Sequence, residues 1–274
     1  MKKLSFLLIA VTASLTFIGC SEYNRVLKSD DYQAKFDMAN HLYDSVNTVS
    51  SKARSIALYE QVYQRFPKQG EGEVSYFRIG KAYYLGEDYY MAGYYLGVFP
   101  QRFPFSARAE EASFLSAMCS VNSSPQWSLD QLETDVAINN LQQFVNKYPN
   151  SPLIDSCNNI IDKLHFKLET KEFETVKLYN KTEQYRAAVT ASLAFMEEYP
   201  MSVFKEETHF ILVKNSYDLA INSVENKKVE RMEETIERYS TFVASFPESK
   251  YRSSLANLDD DIRKKLADLK AEEG

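Results

Sequence analysis

Five times along this chain an aromatic residue and a proline close an apolar run: Phe66-Pro67, Phe103-Pro104, Tyr148-Pro149, Tyr199-Pro200 and Phe246-Pro247. The prolines are spaced by 37, 45, 51 and 47 residues. Proline has no N–H to donate and clashes with the preceding turn, so each pair marks a helix end. A period in this range is that of stacked helical pairs. One such unit cannot bury its own apolar face, so neighbours have to stack on one another.

The runs before each proline agree in detail. Twelve residues upstream stand Ser55, Ala92, Ala137, Ala188 and Thr235, all small. Eight residues upstream stand Tyr59, Leu96, Leu141, Ser192 and Tyr239, mostly large. That pattern fits the second helix of a tetratricopeptide (TPR) repeat, and Tyr76, Ile79, Gly80 and Tyr83 fit the first helix, with tyrosine in place of tryptophan. Ser106, Ser151, Ser202 and Ser249 follow their prolines by two residues and are expected to N-cap the next helix, with Pro152 at a first helical position. The expected fold is all-α: a TPR-type solenoid of about five repeats, closed by a C-terminal capping helix over about 250–270. No stretch has the alternation of a strand. The expected organisation is a signal peptide over 1–19, a tether over 20–30, repeats one to three over 31–149, repeats four and five over 150–249, and cap and tail over 250–274. The fourth unit's first helix is expected to be long, roughly 152–178, and 121–133 reads as a polar insertion in the third unit.

The chain begins MKKLSFLLIAVTASLTFIGC. Two lysines before a short apolar run have the layout of a bacterial export signal. The run stops at Gly19-Cys20, which resembles a lipobox with Phe17 and Ile18 in place of its usual residues. Cleavage before Cys20 and its acylation are therefore expected, with the acyl chains as membrane anchor. Ser21 rather than Asp follows the cysteine, which favours the outer membrane over inner-membrane retention. Without residues 1–19 the chain has 30 basic against 38 acidic residues, so charge argues against nucleic acid as a partner. Cys119 and Cys157 are expected as free, buried thiols.

No catalytic constellation can be assembled. His41, His165 and His209 fall in three different repeats without partners at metal-ligand spacing. Nucleophile-elbow, zinc-protease, Cys-x-x-Cys and P-loop motifs are all missing. The acidic run Asp259-Asp260-Asp261 lacks the alternation and the turn glycine of a calcium loop. Catalytic residues, metal and cofactors are all expected to be none.

Together, the export signal with its lipobox, the five units and the cap resemble the BamD family, lipoproteins of the outer-membrane β-barrel assembly machinery. ARSIALYEQVYQRFP (53–67) and KEFETVKLYNKTEQYRAAVTASLAFMEEYPMS (171–202) carry the resemblance beyond architecture. It implies a scaffold, not an enzyme, on the periplasmic face of the outer membrane. It also implies three kinds of partner: a POTRA domain of the BamA-like barrel subunit, held chiefly by the C-terminal repeats; unfolded β-barrel clients, met by the N-terminal repeats; and other assembly lipoproteins. Lys205, Glu206, Glu207 and Lys214 are candidate docking contacts, with plain solvated surface as the alternative. Two other classes remain open. A glycan-capture lipoprotein would use several exposed tryptophans, whereas this chain has only Trp127. A TPR adaptor for cell-wall synthesis or division is less easily separated.

The stretch RIGKAYYLGEDYYMAGYYLGVFPQRFP (78–104) has three adjacent tyrosine pairs and four of the chain's eight glycines. In the repeat register Tyr83 and Tyr89 are expected in the core, Gly80 at a close helix crossing, and Pro100 as an early end or kink. Phe77, Lys81 and Tyr84 fall on the first-helix face that lines the concave groove. That aromatic–cation–aromatic row suits an extended segment rich in aromatic residues and ending in a carboxylate. Packing of the extra tyrosines against flanking repeats is the competing reading, with Tyr90, Tyr94 and Tyr95 covering the outer face or a neighbouring subunit.

Overall fold

The computed structural model describes residues 22–272, so the signal segment and Cys20 lie outside the described residues. A short helix over 22–28 (α1) leads into α2 (Tyr32–Asn40), which widens into a π-helical turn, His41–Val46. Ten helices follow: α3 (Val49–Arg65), α4 (Gly70–Leu85), α5 (Tyr89–Arg102), α6 (Ala109–Ser123), α7 (Leu132–Lys147), α8 (Ile154–Lys181), α9 (Tyr185–Glu198), α10 (Lys205–Ile221), α11 (Glu225–Ser245) and α12 (Arg252–Glu272). No strand occurs among the described residues. Sequence neighbours are spatial neighbours from α2 to α7 and from α9 to α12. The fold is all-α and of the TPR type, as the proline ladder requires.

The helices form two compact units. The first runs to Pro125 and resumes over Leu129–Ile161; the second comprises Gln126–Ser128 and the chain from Asp162 onward. In the first unit, Leu58, Tyr59 and Ile79 form one core and Tyr76, Leu96 and Phe99 the next. In the second, Phe173, Val176, Phe195 and Ile211 pack together, and Val213, Phe242 and Leu255 follow. The cap thus covers the last hairpin with Leu255 and Ile262, both fully buried.

The small residues twelve before each proline, from Ser55 to Thr235, are all buried. They mark helix crossings, and Gly80 makes a close one. A β-carbon there would stand 2.8 Å from Leu96 Cγ and 3.0 Å from Tyr95 Cβ. Gly72 is more constrained still, because a β-carbon would meet the Phe66 carbonyl oxygen at 1.9 Å. The polar turn KQGEGE therefore lets α4 start directly over the end of α3.

The structure corrects the expected caps. Helices start at Ala109, Ile154, Lys205 and Arg252, three residues after the serines, and Pro152 sits in the turn, ahead of the first helical position. Each serine hydroxyl accepts the N–H two residues on, from Arg108, Leu153, Phe204 and Tyr251. Three of them also donate to a glutamate of the preceding first helix: Ser106 to Glu73 at 2.7 Å, Ser202 to Glu169, and Ser249 to Glu206 at 2.6 Å. The serine serves as a turn former and a clamp between hairpins, because the two residues after it form a tight turn before the helix begins.

Pro100 does not end α5 early. It lies inside the helix, and the last turn closes through the Phe103 N–H on the Phe99 carbonyl. Only the bond from residue 100 is forfeited, so one further turn survives.

Candidate functional site

Tyr76 is buried, with rings of Tyr63, Tyr95, Phe99 and Phe103 around it at 4.7–6.5 Å. Tyr83 and Tyr89, expected as core, are only half-buried. Tyr95, expected outside, stacks on Tyr83 at 5.8 Å and donates to Glu60. Gly80 explains the exchange: without a side chain it admits Tyr95 between the helices. Tyr90 and Tyr94 do face outward, at 86% and 56% exposure.

The expected aromatic–cation–aromatic row is largely used up inside the fold. Phe77 is buried against Phe99, ring centroids 5.4 Å apart, so it is not an open groove residue. A phenylalanine pointing at an adjacent second helix gains more from burial than from solvent contact. Lys81 lies 5.6 Å over the Phe77 ring and reaches Glu111 on α6 at 2.6 Å. Tyr84 is half-buried, edge-on to Tyr89, and its hydroxyl accepts from Asn122 at 3.3 Å. The three share a face, but two of them are engaged by the next hairpin.

An internal correspondence puts these residues in context. A shift of 96 residues carries α5 onto α9, Tyr89–Arg102 onto Tyr185–Glu198. The same shift relates Ser106–Glu73 to Ser202–Glu169, and the two left-handed residues Glu87 and Glu183. It carries Phe77, Lys81 and Tyr84 onto Phe173, Lys177 and Asn180, and Glu111 onto Glu207. Phe173 is buried and stacked on Phe204 at 4.3 Å, and Lys177 lies 5.4 Å over it. Here the register diverges. Lys177 pairs with Glu174 on its own helix at 2.7 Å, and the position of Tyr84 is taken by a carboxamide. Sequence reading missed this second set, although the 96-residue shift was present in the sequence to find it.

The face of α8 and α10 in the second unit holds a groove of about 640 Å3. Its walls include Trp127, Leu178 and Phe210, and Glu207 lines it beside Lys177. The other expected docking residues divide. Glu206 is held by Ser249, Lys214 reaches Asn180 at 3.2 Å, and Lys205 opens α10. Lys205 and burial together hold the half-buried His209 imidazole below its ordinary range, burial being the larger cause.

Cys119 and Cys157 are free and buried. Burial pushes the Cys119 thiol up to about 12 and raises Cys157 as well, so neither offers a thiolate at neutral pH. Among the described residues no group of His, Cys, Asp and Glu could hold a metal ion, and no helix is long and apolar enough to cross a membrane.

Comparison with known proteins points one way. Residues 37–228 match the family YfiO, described as "Outer membrane lipoprotein". One relative is the "Outer membrane protein assembly factor BamD" of Caulobacter vibrioides, 25% identical over 168 residues. The match covers 61% of this chain and 55% of that protein, so it spans only about half the length of the relative.

Proposed function

Since the chain belongs to the YfiO family of outer membrane lipoproteins, we propose that it is a non-catalytic scaffold of outer-membrane β-barrel assembly. The observation that carries this reading is the family match, which runs from the first hairpin through α10 and into α11. The name of the Caulobacter relative supports the process.

In this reading acylated Cys20 tethers the chain to the periplasmic face of the outer membrane. The C-terminal hairpins dock the POTRA domain of the barrel-forming subunit through the α10 surface around Lys205, Glu206, Glu207 and Lys214. The N-terminal hairpins meet unfolded β-barrel clients around Lys81 and Tyr84, with Phe77 supporting that face from beneath. Other assembly lipoproteins complete the set of partners. Serial hairpins suit the task, because each adds one first-helix face to an extended binding surface.

Depletion in the native host tests it. Loss of β-barrels from the outer membrane, before any change in cell division, is expected. Intact barrels with a division defect would contradict it and favour a cell-wall adaptor. Mass spectrometry of the mature N-terminus should show an acylated Cys20, and an unmodified N-terminus elsewhere would remove the anchor.

A further inference from the structure

In the groove of the second unit, hydrogen-bond donors stand beside an apolar wall. Asn180 Oδ1 accepts from Lys214 Nζ at 3.2 Å and from Asn215 Nδ2 at 2.9 Å. An ammonium can only donate, so the oxygen is fixed on that side. The Asn180 amide N–H groups are left without a protein partner while the residue lines the groove. Next to it Lys181 is exposed, at the end of α8, and makes no ion pair. Lysines outnumber glutamates around the groove by three to two in a chain whose net charge is −6.

The apolar part of the lining is open. Leu178 is 56% exposed and Trp127 41% exposed. Both line the same space as Phe210 and Asn180. Behind them Asn215 is fully buried with its Oδ1 unpartnered. A buried acceptor without a donor costs about 1–3 kcal/mol. Asn215 Nδ2 donates both to Asn180 and to the Ile211 carbonyl, which fixes its amide and holds the Asn180 oxygen turned towards it.

We propose that this groove binds an extended segment of a protein partner that sets a carboxylate against Asn180 and Lys181 and an apolar side chain against Trp127 and Leu178. The recognised chemistry is an acidic–apolar peptide. Donors without partners call for an acceptor, and the free ammonium selects a charged one. In an extended segment successive side chains diverge, so neighbouring acidic and apolar residues reach the polar and the apolar lining at once. The inference rests on the geometry of the groove and holds whether or not the chain acts in barrel assembly.

Trp127 is the chain's single tryptophan, so its fluorescence reports on this groove alone. The full chain would be titrated with an acetylated, amidated hexapeptide of alternating aspartate and phenylalanine, and with its asparagine counterpart. A saturable change in Trp127 emission is expected with the first, and binding about tenfold weaker with the second. Lys181→Glu and Asn180→Asp should each weaken the acidic peptide by about tenfold or more. Asn180→Asp keeps an acceptor for Lys214 and Asn215 while removing the donor. Lys181→Glu alters an exposed position, and unchanged far-UV dichroism would exclude misfolding. Three results would overturn the proposal: no saturable change in the native chain, equal binding of the two peptides, or undiminished binding by both variants.

Discussion

The hairpin of α4 and α5 and the hairpin of the α8 end with α9 share one register, 96 residues apart, and fill it differently. At one crossing Gly80 faces Leu96; at its counterpart stand Val176 and Ser192, with the large and small partners exchanged. All four are buried. Leu96 against glycine leaves room for a second aromatic layer, and Tyr95, Tyr83 and Tyr76 occupy it. The first-helix face follows the same division. Lys81 and Tyr84 are tied to Glu111 and Asn122 of α6, whereas their mates Lys177 and Asn180 are held differently: Lys177 by Glu174 on its own helix, and Asn180 through its oxygen by Lys214 and Asn215 of α10, with its amide N–H groups unpartnered. One backbone plan thus carries different side-chain packing and different polar partners in the two units.

The comparison can be broken most directly at the crossing. Gly80→Val should cost about 3 kcal/mol through overpacking against Leu96 and Tyr95. Adding Leu96→Ser recreates the Val176–Ser192 pair and should recover at least half of that loss. Urea denaturation of both variants checks it; strictly additive losses would show that the two crossings are not interchangeable.

Next in size is the serine–glutamate clamp. Ser202→Ala removes the bond to Glu169 and the turn bond from Phe204, and Ser106→Ala removes the matching pair. Each should lower stability by about 1 kcal/mol. Calorimetry giving a loss for one and none for the other would mean that the clamp serves only one hairpin.

Acid response should separate the units. His209 is held below the ordinary histidine value by burial and by Lys205, while His41 and His165 are exposed. The unfolded chain binds a proton near about 6.5 while the folded imidazole still resists it. Stability present above that value is therefore lost as the pH falls through it. His209→Gln should flatten this part of the stability–pH curve, and an unchanged slope would place the acid response elsewhere.

The smallest effect should be equal in both hairpins. Glu87 and Glu183 hold φ of 62° and 55°, a conformation that glycine adopts freely. Glu87→Gly and Glu183→Gly should each stabilise by about 0.5 kcal/mol. A gain in one alone would show that the shared turn geometry is strained differently.

Much of the fold was legible because helix ends and crossings are local. An aromatic–proline pair announces a terminus, and a small residue twelve positions earlier announces a crossing. The expected spans of α8 and α12 differ from the observed ones only by a few residues at their ends. Side-chain engagement was not legible, because it depends on residues thirty or more positions away. Lys81 looks free until Glu111 arrives from α6, and Phe77 looks like a groove residue until Phe99 packs on it. Trp127 reads as part of a polar insertion, and only the tertiary fold brings it beside Leu178 and Phe210. The serines read as helix caps because their preference for that position is local, while their glutamate partners are 33 and 43 residues distant.

The central claim is that the POTRA-bearing subunit docks on the first-helix face of the second unit and not on that of the first. Photo-crosslinking residues placed at Lys181 and at its register mate Leu85 test it in the living cell, with crosslinked products identified by mass spectrometry. Both positions end a first helix, and both are exposed. The expected result is a crosslink to the POTRA-bearing barrel subunit from position 181 and none to that subunit from position 85. Equal crosslinking to that subunit from both positions, or from position 85 alone, would contradict the account.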